Sequence, residues 1–173
     1  KSPLTGAVGD SNIGGFFGPE LKYAGYDHVV VTGRAEKPVF LNIDDGQAEL
    51  LVAKDLWGRT TWDTDESIRD ELGDPDIQVC CIGPAAEREV HACPIFGSFN
   101  RSGGRADCGT VMGGKRLKAI AVRGTKGVQV ADPDRFGKAL DRMREILRID
   151  GLDQYLVPYG VFCSTSQVRI FNE

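Results

Sequence analysis

The chain has 173 residues, 41% of them hydrophobic and 27% charged, with a formal net charge of −4. That length supports one good core, or a domain and a half. The acidic balance excludes a general nucleic-acid or membrane-surface binder, and no window reaches the roughly 18 apolar residues of a membrane span. The five cysteines (Cys80, Cys81, Cys93, Cys108 and Cys163) are odd in number and form no CxxC. They predict reduced thiols in a cytoplasmic setting and exclude a zinc-knuckle or ferredoxin-type spacing. The first residue is Lys1, and the chain is expected to be a piece of a longer protein.

In chain order, residues 1–18 are glycine-rich and predict strand ends and close-approach loops. Pro19 opens a short helix over 20–24 that Gly25 ends. Residues 28–32 (HVVVT) predict a buried strand and 33–37 a turn. Residues 38–43 predict the next strand, Asp44-Asp45-Gly46 a hairpin turn, and 48–53 its partner, with antiparallel pairing of all three. Asp63 or Thr64 caps a helix that runs to Leu72, carries Ile68 and Leu72 on one face, and ends at Gly73. Residues 77–82 predict a strand, Gly83-Pro84 a turn, 87–93 another strand, and 118–123 the last. Asp132 then caps a helix opened by Pro133, with Phe136, Leu140, Met143 and Leu147 in one stripe to about residue 149. Residues 151–173 give no clear element. No repeat or low-complexity linker interrupts this order. Strands with inserted helices favour an α+β fold over a doubly wound sheet.

The most informative stretch is 100–118, NRSGGRADCGTVMGGKRLK. It carries five glycines (Gly103, Gly104, Gly109, Gly113, Gly114) and five cationic side chains (Arg101, Arg105, Lys115, Arg116, Lys118). Glycine permits positive φ and close backbone approach, free N–H groups in such a loop can form an anion nest, and arginine matches phosphate geometry. A small phosphorylated ligand is the predicted occupant. The order of loop before strand, with no GxxxxGK[ST] and no GxGxxG, differs from the common nucleotide-binding loops.

Three stretches together resemble the tungsten-containing aldehyde ferredoxin oxidoreductase family. They are Ser2-Pro3-Leu4-Thr5-Gly6 with Asn12-Ile13-Gly14-Gly15 through Asp27, then Ile82-Gly83-Pro84-Ala85, then Gly103-Gly104-Arg105 with Gly109 through Val122. They occur in the family's order at similar spacing, and the resemblance runs to about residue 160. It implies a strand-rich α+β domain with two β-sheets and a few helices, the base for a tungsten (or molybdenum) bis-molybdopterin cofactor. Residues 1–130 would be that cofactor-binding domain, lacking its first segment, and 131–173 the start of a helical region. By resemblance, Asn12, Gly14, Gly15, Arg101, Ser102, Gly103, Gly104 and Arg105 contact the cofactor. The backbone carbonyls of Asn12 and Ser102 would bind a Mg2+ that bridges the pterin phosphates, which suits a hard cation. The whole enzyme would interconvert an aldehyde and a carboxylate. Electrons would pass through a [4Fe-4S] cluster, whose ligands lie outside this chain, to ferredoxin, in a cytoplasmic protein that could be a homodimer. One branch of the family reduces aromatic thioesters. No catalytic residue is expected in this chain.

Other readings of the same residues remain open. Asn12 alone reads as a turn residue, and the 101–105 loop as a solvated turn. Ala106-Asp107-Cys108 replaces the family's glycine-rich continuation, and Asp107 sets a negative charge near the expected phosphates unless it pairs with Arg105 or Lys115. A stand-alone pterin- or phosphate-binding module, a split-enzyme subunit, or a degenerate relative that lacks the cofactor would all fit. His28 reads as a core histidine, His91 as a residue within reach of the cofactor, and Cys80 and Cys81 as buried strand residues. Cys108 reads as a small buried filler, Glu20 and Lys22 as a solvated face, and Trp57 and Trp62 as loop anchors.

Overall fold

The computed structural model describes residues 2–98, 101–104 and 106–149. Arg105, Asn100 and everything from residue 150 onward, including Cys163, lie outside the described residues, as do the side chains of residues 147–149. The chain divides into two compact units, Lys1–Val128 and Gln129–Glu173.

The first unit contains helix α1 (Phe17–Tyr23), strands β1 (Val39–Asp44) and β2 (Gln47–Val52), helix α2 (Thr61–Leu72) and strand β3 (Gln78–Cys81). Helix α3 (Pro84–Glu87), strands β4 (Ile95–Gly97) and β5 (Arg101–Gly103), helix α4 (Cys108–Gly114) and strand β6 (Leu117–Arg123) follow. The fold is α+β, as expected. Its strands form one six-stranded sheet among the described residues, in the order β2-β1-β6-β3-β4-β5, where a pair of sheets was implied.

Local chemistry explains most of the elements. Asp45 and Gly46 take positive φ (43° and 93°), the two-residue turn that matches strand twist, and β1 pairs with β2 from Asp44↔Gln47 to Val39↔Val52. Thr60, one turn before the expected caps, starts α2: its hydroxyl accepts from the Asp63 N–H (3.2 Å). Gly73 ends α2 in the left-handed region, as its position predicts. The third strand expected to pair antiparallel, residues 28–32, does not form. Val30 is 76% exposed, and Val29 packs at the edge of the core beside α1. Its expected neighbour β1 is paired on both sides, with β2 and with β6, which runs parallel to it.

Residues 87–93 also depart from expectation. Pro84 sits at the first helical position of α3, and Glu89 and Ala92 turn the chain through positive φ (56° and 66°). Glu87 is drawn inward instead. Its carboxylate meets the Lys118 ammonium at 2.5 Å, and the two side chains are 4% and 0% exposed.

One sheet face packs Phe40, Val79, Cys81, Ala119 and Ala121 against Ile68 and Leu56, with Leu72 at the margin. On the other, Ile120, Ile95 and Leu41 meet Met112 of α4, and Val122 and Ile43 meet Ala24 at the end of α1. Cys80 and Cys81 lie buried on β3, as expected, and burial pushes both thiols up to about 12.

Glu20 is not part of a solvated face. It accepts from Arg123 Nη1 (2.8 Å) and the Gly124 N–H (3.0 Å), while Arg123 Nε reaches Asp74 (2.7 Å). This ties α1 and the turn after α2 to the end of β6. Lys22 is exposed and pairs with Asp27.

In the second unit, helix α5 (Pro133–Ile149) begins as expected, with Asp132 Oδ1 accepting from the Arg135 N–H (3.0 Å). No helix among the described residues is long and apolar enough to cross a membrane.

Candidate functional site

The described part of the stretch 100–118 is more than a loop. It supplies strand β5, a corner at Ala106-Asp107, and helix α4. None of its five glycines takes positive φ. Gly109 and Gly113 are four apart, on one face of α4. A Cβ on Gly113 would stand 1.9 Å from the Ala86 carbonyl oxygen, and one on Gly109 would stand 2.4 Å from that of Pro94. These two glycines let a helix press against backbone and have no bearing on an anion.

The basic residues divide in the same way. Lys115 Nζ donates to the Gly33 carbonyl (2.9 Å), and the Arg116 guanidinium donates to the Glu36 carbonyl. Lys118 is buried and donates to Arg59 O (2.9 Å), Ile82 O (2.8 Å) and Glu87. Arg101 is exposed, and its guanidinium has no hydrogen bond or ion pair among the described residues.

Strands β4 and β5 form an antiparallel hairpin with Gly97 opposite Arg101 and Ile95 opposite Gly103. The segment 9–16 lies across one face of it. Ideal Cβ positions trace the contact: on Gly103, 3.4 Å from Ser11 Oγ; on Gly97, 3.2 Å from Ile13 Cδ1; on Gly15, 3.4 Å from Arg101 Cγ and 2.4 Å from Ser98 Oγ. Ser98 Oγ also accepts from the Phe16 N–H (3.2 Å) and so fixes the end of the segment. Gly15 needs its glycine twice over, since its φ is +97°.

The structure therefore brings Gly14 and Gly15 beside Arg101, and Ser11, the neighbour of Asn12, beside Gly103. Asn12, Gly14, Gly15, Arg101, Ser102 and Gly104 are all exposed, and Gly103 is buried. Gly14 and Gly104 are informative because the chain itself makes little demand there. Neither takes positive φ. A Cβ on Gly14 would meet only Arg101 Cδ, at 3.8 Å, and one on Gly104 would meet nothing within 4 Å. Bare backbone beside an unpaired guanidinium suits close approach by a phosphate-bearing ligand. Beneath the hairpin is an apolar cavity of about 180 Å³ bordered by Ile13, Phe17, Cys80, Cys108, Met112 and Ile120. Cys108 is half-buried there, and no group of three or more His, Cys, Asp or Glu among the described residues could hold a metal.

Asp107 faces inward, away from the charge conflict that its sequence position suggests. It is 1% exposed. Oδ1 accepts from the Cys93 N–H (3.1 Å) and lies within reach of Thr110 Oγ1, and Oδ2 is 3.2 Å from His91 Nδ1. Burial by itself would raise this carboxyl, but the bonds from Thr110, His91 and Cys93 together hold it below the ordinary value of 3.8. A depressed carboxyl stabilises the fold above its unfolded value, and the contribution is lost as pH falls through the folded value. The unfolding midpoint is therefore expected to drop as pH is lowered below about 4, and Asp107→Asn to flatten that acid limb. An unchanged acid limb in the variant contradicts this. His91 is an exposed turn residue, and His28 is exposed as well, not a core histidine. Trp57 is half-buried and Trp62 is half-exposed at the start of α2.

The α+β domain thus presents bare glycine backbone and, among the described residues, an unpaired arginine on one face of the hairpin. The sequence profile described as "Aldehyde ferredoxin oxidoreductase, N-terminal domain" matches residues 1–124. The chain belongs to this family. The tungsten-containing aldehyde ferredoxin oxidoreductase of Pyrococcus furiosus is 47% identical over 174 aligned positions, and that of Pyrococcus horikoshii 42%. Each match covers 100% of this chain and 28% of the relative, so the chain spans a little over a quarter of these proteins. Among solved structures, the active-site complex BamBC of benzoyl coenzyme A reductase, in complex with 1,5 dienoyl-CoA, superposes with a TM-score of 0.74. It is 37% identical and covers 86% of this chain and 22% of the other.

Proposed function

We propose that this chain is the tungstopterin-binding part of an enzyme that interconverts aldehydes and carboxylates. The observation that carries the reading is the exposed face formed by segment 11–15 and the β4–β5 hairpin, with Arg101, unpaired among the described residues, beside Gly14 and Gly15. On this reading Gly14, Gly15, Gly103 and Gly104 admit the pterin and its phosphates to bare backbone, and Arg101 and Arg105 neutralise the phosphates. The carbonyls of Asn12 and Ser102 would hold a Mg2+ between the two phosphates. The bound tungsten centre, or a molybdenum one, would supply the two-electron redox chemistry, and this domain would supply orientation and charge neutralisation. The complete protein would also carry a [4Fe-4S] cluster, pass electrons to ferredoxin in the cytoplasm, and present its small carbonyl substrate from regions beyond this chain. Residues 1–130 would form the cradle, and 131–173 would begin the helical part.

The likeness to the benzoyl coenzyme A reductase complex supports a second reading, in which the substrate is an aromatic thioester. The higher identities to aldehyde oxidoreductases favour the first. A degenerate domain without cofactor loses its main argument, because the Asp107 carboxylate is turned inward and fully engaged.

Metal and pterin analysis of the full-length protein, purified without oxygen, tests the proposal. Tungsten with two pterins per chain is the expected result. A folded protein with neither metal nor pterin would leave the exposed face to another ligand and overturn it.

A further inference from the structure

The corner between β5 and α4 is built against backbone preference. Ala106 and Asp107 both take positive φ (73° and 62°), a conformation that costs a non-glycine residue of order 1–3 kcal/mol. Glycine would relieve the strain at either position. What the corner gains from side chains is therefore the question.

At Ala106 the methyl group meets the start of the segment that crosses the hairpin: a Cβ on Gly9 would stand only 2.7 Å from Ala106 Cβ. At Asp107 the carboxylate joins two pieces of chain, the 91–93 turn and the start of α4. It accepts from the Cys93 N–H ahead of β4, engages Thr110 in the first turn of α4, and faces His91. The Gly109 N–H completes the junction by donating to Cys93 O (3.0 Å). The end of β5 and the start of the segment that crosses the hairpin thus meet at this one corner.

We propose that Asp107, oriented by His91, is a positioning residue that sets the backbone course from β5 into α4, and through it the grip of residues 101–104 on a phosphate-bearing ligand. The proposal rests on the cofactor reading above. Asp107 touches no ligand itself; it acts through the loop. Asparagine can serve in its place. Its Oδ1 accepts from Cys93, and its amide can donate to His91 Nδ1 in the tautomer protonated at Nε2. Alanine leaves the Cys93 N–H and the Thr110 hydroxyl without this acceptor.

The test uses the full-length holoenzyme and two measurements. The first is the rate of pterin release. The second is the gap between the unfolding midpoints of the cofactor-loaded and cofactor-free protein, since a ligand stabilises only the state that grips it. Asp107→Ala is expected to speed release on the order of 10- to 100-fold, the range usual for groups that orient a contact layer, and to narrow the gap. Asp107→Asn is expected to keep both near wild type. A merely structural role lowers both midpoints together, leaves the gap and the release rate unchanged, and overturns the proposal. If Asp107→Ala does not fold, His91→Ala decides, because that side chain is 62% exposed and its loss leaves the core intact. Faster release with an unchanged cofactor-free midpoint upholds the proposal, and wild-type release overturns it. A wild-type protein without pterin would instead defeat the cofactor reading itself.

Discussion

Lys118→Ala is expected to destabilise the domain by about 3–5 kcal/mol, the cost of breaking a buried ion pair from one side. The ammonium group is 0% exposed, and its three donors are matched to Arg59 O, Ile82 O and Glu87 Oε1. Glu87 accepts in turn from the Gly58 N–H (2.8 Å), so the pair holds the turn before α2 against β6 and α3. Removing the lysine strands a carboxylate that is 4% exposed and leaves the buried Ile82 carbonyl and the Arg59 carbonyl without this donor. Adding Glu87→Gln to the lysine variant is expected to recover part of the loss, because the remaining group then carries no charge. The check is the urea midpoint of cofactor-free protein at constant slope. A loss below about 1 kcal/mol is the value of a surface pair and would contradict the buried geometry.

The second large effect is at Gly113. A methyl group there would stand 1.9 Å from the Ala86 carbonyl oxygen and 2.6 Å from its carbon. Both atoms are backbone in α3, so no rotamer change relieves the contact. Overpacking alone costs about 1–3 kcal/mol, and a collision with fixed backbone exceeds that range. Gly113→Ala is expected to leave little soluble protein. Gly104→Ala is the matched control. A Cβ there meets nothing within 4 Å, so the midpoint of cofactor-free protein should hold while pterin content falls. Comparing soluble yield, midpoint and pterin content of the two variants separates glycines needed by the fold from those needed by the ligand. Equal behaviour of the pair would contradict the distinction.

That contrast also marks what could be read from sequence. The β1–β2 hairpin was legible because Asp45-Gly46 has the backbone freedom its turn requires, and α2 and α5 were legible from caps and stop signals at Gly73 and Asp132. The valines at 29–31 read as a strand because an apolar β-branched run does not reveal whether a sheet edge is free to receive it. Residues 87–93 were misread for a related reason: the partner that draws Glu87 inward lies 31 residues away. In the 100–118 stretch the residue types were plain and their uses were not. Gly109 and Gly113 serve packing, and Lys115, Arg116 and Lys118 are spent on carbonyls and a buried carboxylate, which leaves Arg101 as the exposed cation the described part of the stretch offers. Asp107 looked like a charge in the wrong place because its acceptor role depends on Cys93 and His91, brought close only by the fold. The proximity of segment 11–15 to β5 had no local signal at all; it rested on the family resemblance.

The central claim is that the face formed by residues 11–15 and 101–104 holds the cofactor's phosphates. Its most direct test is the pterin and tungsten content of the full-length protein carrying Arg101→Ala together with Arg105→Ala, measured beside the wild type. The account predicts a folded double variant whose cofactor-free midpoint stays near wild type, with pterin and tungsten largely lost. Wild-type pterin and tungsten in the double variant would contradict it.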